Sequence, residues 1–126
     1  MKAVNTENAP AAIGPYSQAI EANGFLFVSG QLPIDPETGE IAPAEIKQQT
    51  ERVLKNIEAI LASCGLRLSD VVKTSVFLSS MQDFPEFNEV YSGFLAQPFP
   101  ARSTVEVSRL PKNALIEIDV IAVKKD

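Results

Sequence analysis

The stretch FPARSTVEVSRLPKNALIEIDVIAV, residues 99–123, predicts two consecutive β-strands, because β-branched residues recur on both sides of the loop RLPKN. The first predicted strand runs from Arg102 to Val107 and begins with a guanidinium. The second runs from Leu115 to Val123, and its alternation places Glu117 and Asp119 together on one face. These charged side chains, set among apolar neighbours, need a structural or a functional explanation.

The segments upstream predict a hairpin, a helix and a further strand. Residues 18–30 predict a β-hairpin, because Asn23-Gly24 readily adopts the positive φ angles of a type I′ turn. The apolar spacing predicts a first helix from Pro43 to Cys64, with Pro43 in its first turn and Gly65 as its stop. The run VVKTSVFL, Val71 to Leu78, has the composition of a buried strand.

A second helix is predicted from Asp83 to about Gln97, where Pro98 ends it. Asp83 and Glu86 have the spacing of a capping box, and an aromatic stripe along this helix is expected to pack in the core.

The order ββ, α, β, α, ββ predicts an α+β fold in which one sheet carries both helices on one face. We expect a single domain, residues 1–126. The strands are apolar on both faces, so we expect the face without helices to pack against copies of the same chain.

The charge and the N-terminal sequence restrict partners and location. Sixteen acidic and eleven basic residues give a net charge of −5, and the basic residues are scattered, which disfavours a nucleic-acid partner. The segment MKAVNTENAP lacks the apolar core of a signal peptide, and no apolar run is long enough to span a bilayer. We therefore expect a cytoplasmic protein with no membrane partner.

The residue types present also restrict the chemistry. The sequence has no histidine, which excludes a Ser-His-Asp triad and a histidine-ligated metal. Its one cysteine, Cys64, cannot form an intrachain disulfide and is expected in the core. Catalysis, if present, must come from carboxylates, arginine, lysine, tyrosine, hydroxyls or the backbone.

Taken by themselves, the candidate residues allow two interpretations. Arg102 and Glu117 could form a structural ion pair, which is the commoner arrangement, or converge on a cleft as an anion receptor and a proton-transfer group. Tyr16 in GPYSQA could be a packed tyrosine or part of the same cleft, and Ser29 and Gly30 in SGQLP could form a turn or present backbone amides to an anion.

The ordered set of APAAIGPYSQA, FVSGQLP, VVKTSVFL, FNEVY and the stretch of residues 99–123 resembles the RidA branch of the Rid (reactive intermediate deaminase, YjgF-like) family. The resemblance implies a chorismate-mutase-like subunit and a homotrimer with ligand clefts at the subunit boundaries. It further implies hydrolysis of 2-imino acids and their 2-enamine tautomers, such as 2-aminoacrylate, to 2-keto acids and ammonia, without a metal or a cofactor. The activity would be that of a 2-iminobutanoate/2-iminopropanoate deaminase.

The resemblance also implies site residues. Arg102 would bind the substrate carboxylate and Glu117 would position the attacking water, while the remaining pocket residues would be Tyr16, Ser29, Gly30, Asn88, Ser103 and Thr104. Many relatives have a cysteine where this chain has Thr104, so a covalent thiol mechanism is excluded here.

Two other functions remain possible from the sequence. A non-catalytic protein that binds 2-keto acids would use the same arginine. A ribonuclease or translation inhibitor fits less well, because the chain is acidic and lacks histidine.

Overall fold

The computed structural model describes residues 1–125, which form one six-stranded sheet and two α-helices. The strands are β1 (Lys2–Val4), β2 (Ala19–Ala22), β3 (Phe25–Gln31), β4 (Val71–Leu78), β5 (Ala101–Glu106) and β6 (Ile116–Val123). The helices are α1 (Ile46–Ser63) and α2 (Phe84–Phe94). Short 3-10 turns occupy Leu68–Asp70, Met81–Asp83 and Pro111–Asn113.

The sheet has the order β1-β2-β3-β6-β4-β5, and its neighbours are antiparallel except for β4 and β5, which are parallel. The final strand therefore lies in the middle of the sheet, and β5 lies at an edge. The predicted α+β architecture, one sheet with two helices on one face, is confirmed.

The core lies between the helices and one face of the sheet, where α1 packs on α2, β3 and β6. Alternation along β6 decides which residues enter it, since every second side chain points to the helices. The residues of β6 that are at most 2% exposed are Ile116, Ile118, Val120 and Ala122.

The opposite face of the sheet remains open in the single chain. Phe25, Phe27 and Val105 lie on it with 40%, 44% and 46% of their surface exposed. The rings of Phe25 and Phe27 pack side by side, with 6.1 Å between centroids. Apolar side chains of this size are costly to leave in water, which agrees with the expectation that another copy covers this face.

The hairpin is confirmed, with Asn23 and Gly24 at φ 51° and 81° between β2 and β3, and β4 has the predicted bounds. The start of α1 was predicted three residues too early. Its N-cap is Glu45, whose carboxylate accepts hydrogen bonds from the backbone N–H groups of Lys47 (2.8 Å) and Gln48 (3.1 Å).

The capping-box prediction for α2 is wrong. Asp83 has helical backbone angles, φ −81° and ψ −5°, because the preceding 3-10 turn continues into the helix. Ser80 caps that turn instead, its hydroxyl accepting from the N–H of Gln82 at 3.2 Å. The helix ends at Phe94 rather than near Gln97, and the short strand β1 was not predicted. Among residues 1–125, no helix combines the length and apolar character that a membrane span requires.

Candidate active site

Arg102 lies on the edge strand β5 and projects toward the helices. Its parallel partner on β4 is Thr74, which is 1% exposed beneath the helices, so the two side chains share that face. The guanidinium carbon lies 5.4, 5.5 and 4.9 Å from the ring centroids of three aromatic residues of α2, namely Phe84, Phe87 and Tyr91. Stacking of this kind suits the planar guanidinium of arginine.

Two hydrogen bonds fix this arrangement. The Nη1 group of Arg102 donates to Oδ1 of Asn88 at 2.9 Å, which orients the plane of the guanidinium. Behind it, the hydroxyl groups of Tyr91 and Thr74 lie 2.9 Å apart in a buried hydrogen bond, which ties α2 to β4. The aromatic residues thus form a rigid platform for the arginine, and we call them the aromatic platform.

Arg102 faces an open cleft of about 600 Å³. The other residues that line it are Pro85, Asn88, Glu89, Tyr91, Ser92, Phe99 and Pro100. Glu89 is paired with Lys47 of α1 at 2.8 Å, so its charge is offset, and among the lining residues Arg102 is the cation. This cleft can accept a small anion.

Glu117 lies on the other face of the sheet. It occupies β6 between Ile116 and Ile118, which both point into the core, and its neighbour on β4 is Phe77. Burial raises the pKa of the half-buried Glu117 carboxyl, and the nearby charge of Asp119 raises that pKa further. A carboxyl with a raised pKa can exchange a proton nearer to neutral pH than an exposed glutamate can.

Gly30 lies directly against Glu117. The ladder between β3 and β6 is irregular between Val28 and Gln31, which brings the backbone of Gly30 under the carboxyl group. A Cβ atom built at Gly30 would lie 2.8 Å from Cδ of Glu117, so a side chain at this position would displace the carboxyl group. The carboxyl group of Glu117 occupies the space that a side chain at residue 30 would fill.

Tyr16 and Ser29 lie near Gly30. The hydroxyl of Ser29 donates to the carbonyl of Ser17 at 2.6 Å, and its N–H donates to the carbonyl of Gln18 at 2.9 Å, which fastens the Tyr16 segment to β3. Tyr16 is 53% exposed and lines, together with Gly30, a cavity of about 150 Å³.

Ser103 and Thr104, the other two predicted pocket residues, point to opposite faces. The hydroxyl of Ser103 accepts a hydrogen bond from Nζ of Lys73 at 3.1 Å on the open face. Thr104 lies on the side of Arg102, and its buried Oγ1 has no hydrogen-bond partner within residues 1–125.

Within the single chain, the predicted residues therefore form two separate groups. The Arg102 group also contains Asn88 and Thr104, and the Glu117 group also contains Gly30, Tyr16 and Ser29. Within residues 1–125, Arg102 and Glu117 form neither an ion pair nor a common cavity. Neither of the two arrangements that the sequence left open, the ion pair and the shared cleft, forms within one chain, because β4 lies between β5 and β6 and the side chains leave opposite faces.

The aromatic platform was missed as part of the site. The sequence placed its residues in the core, and their helical spacing gives no sign that an arginine from a later strand lies over them. The parallel pairing of β5 with β4 brings Arg102 there.

Comparison with known proteins places this arrangement in a family. The family model described as Endoribonuclease L-PSP matches residues 6–124. An Escherichia coli protein named 2-iminobutanoate/2-iminopropanoate deaminase is 46% identical over 127 residues, covering 98% of each chain. This chain belongs to the Rid (YjgF) family.

Other Rid family relatives agree with this assignment. A RutC family protein from Pyrococcus horikoshii is 58% identical over 120 residues, covering 95% of each chain. The crystal structure of Escherichia coli TdcF with bound serine has a TM-score of 0.94 and 43% identity, covering 99% of this chain and all of TdcF. The resemblance found in the sequence is confirmed at the level of the family and its fold.

Proposed function

We propose that this protein hydrolyses 2-imino acids and their 2-enamine tautomers, such as 2-aminoacrylate, to 2-keto acids and ammonia. The observation that carries the proposal is Arg102, a guanidinium held by Asn88 and three aromatic rings where it faces an open cleft. The name of the E. coli relative supports this reaction, and the serine bound to TdcF supports a small ligand with a carboxylate.

Arg102 is proposed to bind the substrate carboxylate. Two parallel N–H donors match the two carboxylate oxygens, which fixes both the position and the plane of a flat imino acid. Each such charge-assisted bond contributes about 1.5–3 kcal/mol where water is excluded. The aromatic platform provides the apolar wall that such exclusion requires.

The complete cleft is proposed to form between two copies of the chain. Arg102 and Glu117 leave opposite faces of one sheet, so a cavity that contains both needs a second subunit. The exposed apolar side chains of the open face, including Phe25 and Phe27, support burial against another copy. In a homotrimer with cyclic symmetry, Arg102 of each subunit would meet Glu117 of its neighbour.

Glu117 is proposed to act on a water molecule above C2 of the iminium. The carboxylate accepts a proton as the water oxygen bonds to C2, which gives a tetrahedral carbinolamine. The carboxyl then returns that proton to nitrogen. The C–N bond breaks as the regenerated Glu117 carboxylate accepts the hydroxyl proton, which leaves the ketone and ammonia. Proton transfer of this kind contributes about 10²–10⁴ in rate. The scheme uses neither a metal nor a cofactor.

Tyr16, Ser29, Gly30, Asn88, Ser103 and Thr104 are proposed to complete the pocket. Asn88 and Gly30 have the most direct roles, since they hold Arg102 and Glu117 in place. The unpartnered hydroxyl of Thr104 could accept or donate a hydrogen bond once a ligand enters beside Arg102.

The direct test is an imine-hydrolysis assay. Imines of alanine and 2-aminobutyrate would be generated in situ, and their decay and the release of ammonia followed by stopped flow. We expect both rates to rise in proportion to the protein added, and Glu117→Gln to lower the part of each rate that is due to the protein by about 10²–10⁴-fold. Binding of 2-keto acids without faster imine decay would instead indicate a non-catalytic binding protein, which needs only the Arg102 group.

The family model is described as an endoribonuclease, so RNA cleavage is the alternative function to consider. RNA cleavage is disfavoured for this chain by its net charge of −5 and by the lack of histidine. The preparation that hydrolyses imines is expected to leave RNA intact.

The two-copy cleft has its own test. Arg102→Ala and Glu117→Gln are each expected to have little activity alone. Mixed trimers renatured from equal amounts of the two variants are expected to regain about a quarter of the wild-type activity. The reason is that random assembly places an intact Arg102 opposite an intact Glu117 in about a quarter of the clefts. Activity would be measured before and after the mixed denaturation and renaturation. Wild-type protein treated in the same way gives the reference. A mixture no more active than its components would contradict a cleft shared between subunits.

A further inference from the structure

The turn before β6 holds a lysine in a strained conformation. Lys112 has φ 56° and ψ 23°, and Asn113, which follows it, has φ 56°. The left-handed region is tolerated by asparagine but costs free energy for a lysine. Strained residues persist where the surroundings fix them, and they are frequent at functional sites.

The surroundings of this turn do fix it. Leu110 and Ala114, on either side, are 7% and 1% exposed, and the N–H of Ala114 donates to the carbonyl of Pro111 at 3.1 Å. The buried side chain of Gln49 accepts from the N–H of Leu115 at 2.8 Å. Both ends are anchored in the core, so the turn cannot relax without disturbing α1.

Lys112 lies beside two members of the Glu117 group, Tyr16 and Gly30. Lys112 lines the cavity of about 150 Å³ that is also bordered by Tyr16, Gly30 and Gln31, and Gly30 lies against Glu117. Within residues 1–125, Lys112 takes part in no ion pair, and among the lining residues of this cavity it is the charged one.

The positive charge of Lys112 bears on the binding of an anionic substrate. Glu117 and Asp119 are neighbouring acids on the same face of β6, and their negative potential opposes the approach of an anionic substrate. Lys73 offsets part of the charge of Asp119, and Lys112, at the cavity bordered by Gly30, adds a positive charge that attracts small anions, an effect that salt weakens.

We propose that Lys112 is a substrate-positioning residue, which draws the anionic imino acid into the cleft from the side of Glu117 while Arg102 binds its carboxylate. This role rests on the proposed function, because it needs an anionic substrate between the two groups. It makes the cleft selective for anions at both of its walls.

The test measures binding apart from turnover. Calorimetric titration with 2-oxobutanoate, a stable keto acid, would be run on wild type, Lys112→Gln, Lys112→Asn and Lys112→Arg at low and high salt. We expect both neutral variants to bind about 3–10-fold more weakly at low salt, with the difference shrinking at high salt. Lys112→Arg keeps the charge and is expected to stay within about twofold of wild type.

Two controls separate the possible failures. Lys55→Gln removes a lysine that is paired with Glu51 on the exposed side of α1, and it is expected to leave binding unchanged. Lys112→Asn tolerates the left-handed turn, so equal weakening in both neutral variants indicates lost charge rather than a disturbed loop. Equal affinity of wild type and both neutral variants at low salt would overturn the role of Lys112. Keto acid binding that depends on Lys112, in a protein that does not hydrolyse imines, would retain this inference and reject the deaminase.

Discussion

Arg102→Ala is expected to lower kcat/KM for 2-imino acids by about 10²–10⁴-fold, since the substrate loses two charge-assisted hydrogen bonds of about 1.5–3 kcal/mol each. The fold should survive, because Arg102 is exposed on the edge strand β5. The measurement is the initial rate of imine decay at several substrate concentrations, with circular dichroism to verify the fold.

Two further variants sharpen the interpretation. Arg102→Lys keeps the charge but not the paired donors, so its kcat/KM is expected between those of wild type and Arg102→Ala. Arg109→Ala removes an exposed arginine from the following loop and is expected to leave the rate unchanged. Retention of kcat/KM within threefold of wild type in Arg102→Ala would remove the arginine from the proposed mechanism.

Gly30→Ala is expected to reduce kcat by about 10²-fold or more, because general acid-base catalysis depends on the position of the carboxylate. The new Cβ would lie 2.8 Å from Cδ and 3.2 Å from Cγ of Glu117, so the carboxyl group must move. The effect is steric, and steady-state kinetics of the purified variant measures it.

Gly93→Ala is the matched control for this prediction. Gly93 lies in α2, and a Cβ there meets no atom within 4 Å, so alanine should preserve activity and favour the helix slightly. The double variant Gly30→Ala/Glu117→Gln should be no slower than Glu117→Gln alone, because both changes disable the same group. Losses that multiply would mean that Gly30 acts independently of Glu117.

Local signals in the sequence predicted most of the elements. Asn23 and Gly24 both favour positive φ angles, and this preference was enough to predict the turn between β2 and β3. The composition of residues 71–78 was enough to predict the bounds of β4. The start of α1 was misplaced because Glu45 is not among the residues that most often cap helices.

The relation between the two halves of the site could not be predicted in the same way. It depends on β5 pairing in parallel with β4, which separates β5 from β6 although they are consecutive in the chain. The face that each charged side chain takes follows from strand pairing, a property of the whole sheet. The left-handed angles of Lys112 likewise depend on anchors such as Gln49, far away in the sequence.

The stacking of Arg102 on three aromatic rings also lowers the conformational entropy that its side chain loses when a ligand binds. An arginine free in solvent samples many rotamers, and freezing such a side chain on association costs about 0.5–1.5 kcal/mol. Here the aromatic rings and Asn88 have already restricted it before any ligand arrives. A ligand as small as 2-aminoacrylate offers few atoms for contact, so a preorganised receptor spares a substantial share of its binding free energy.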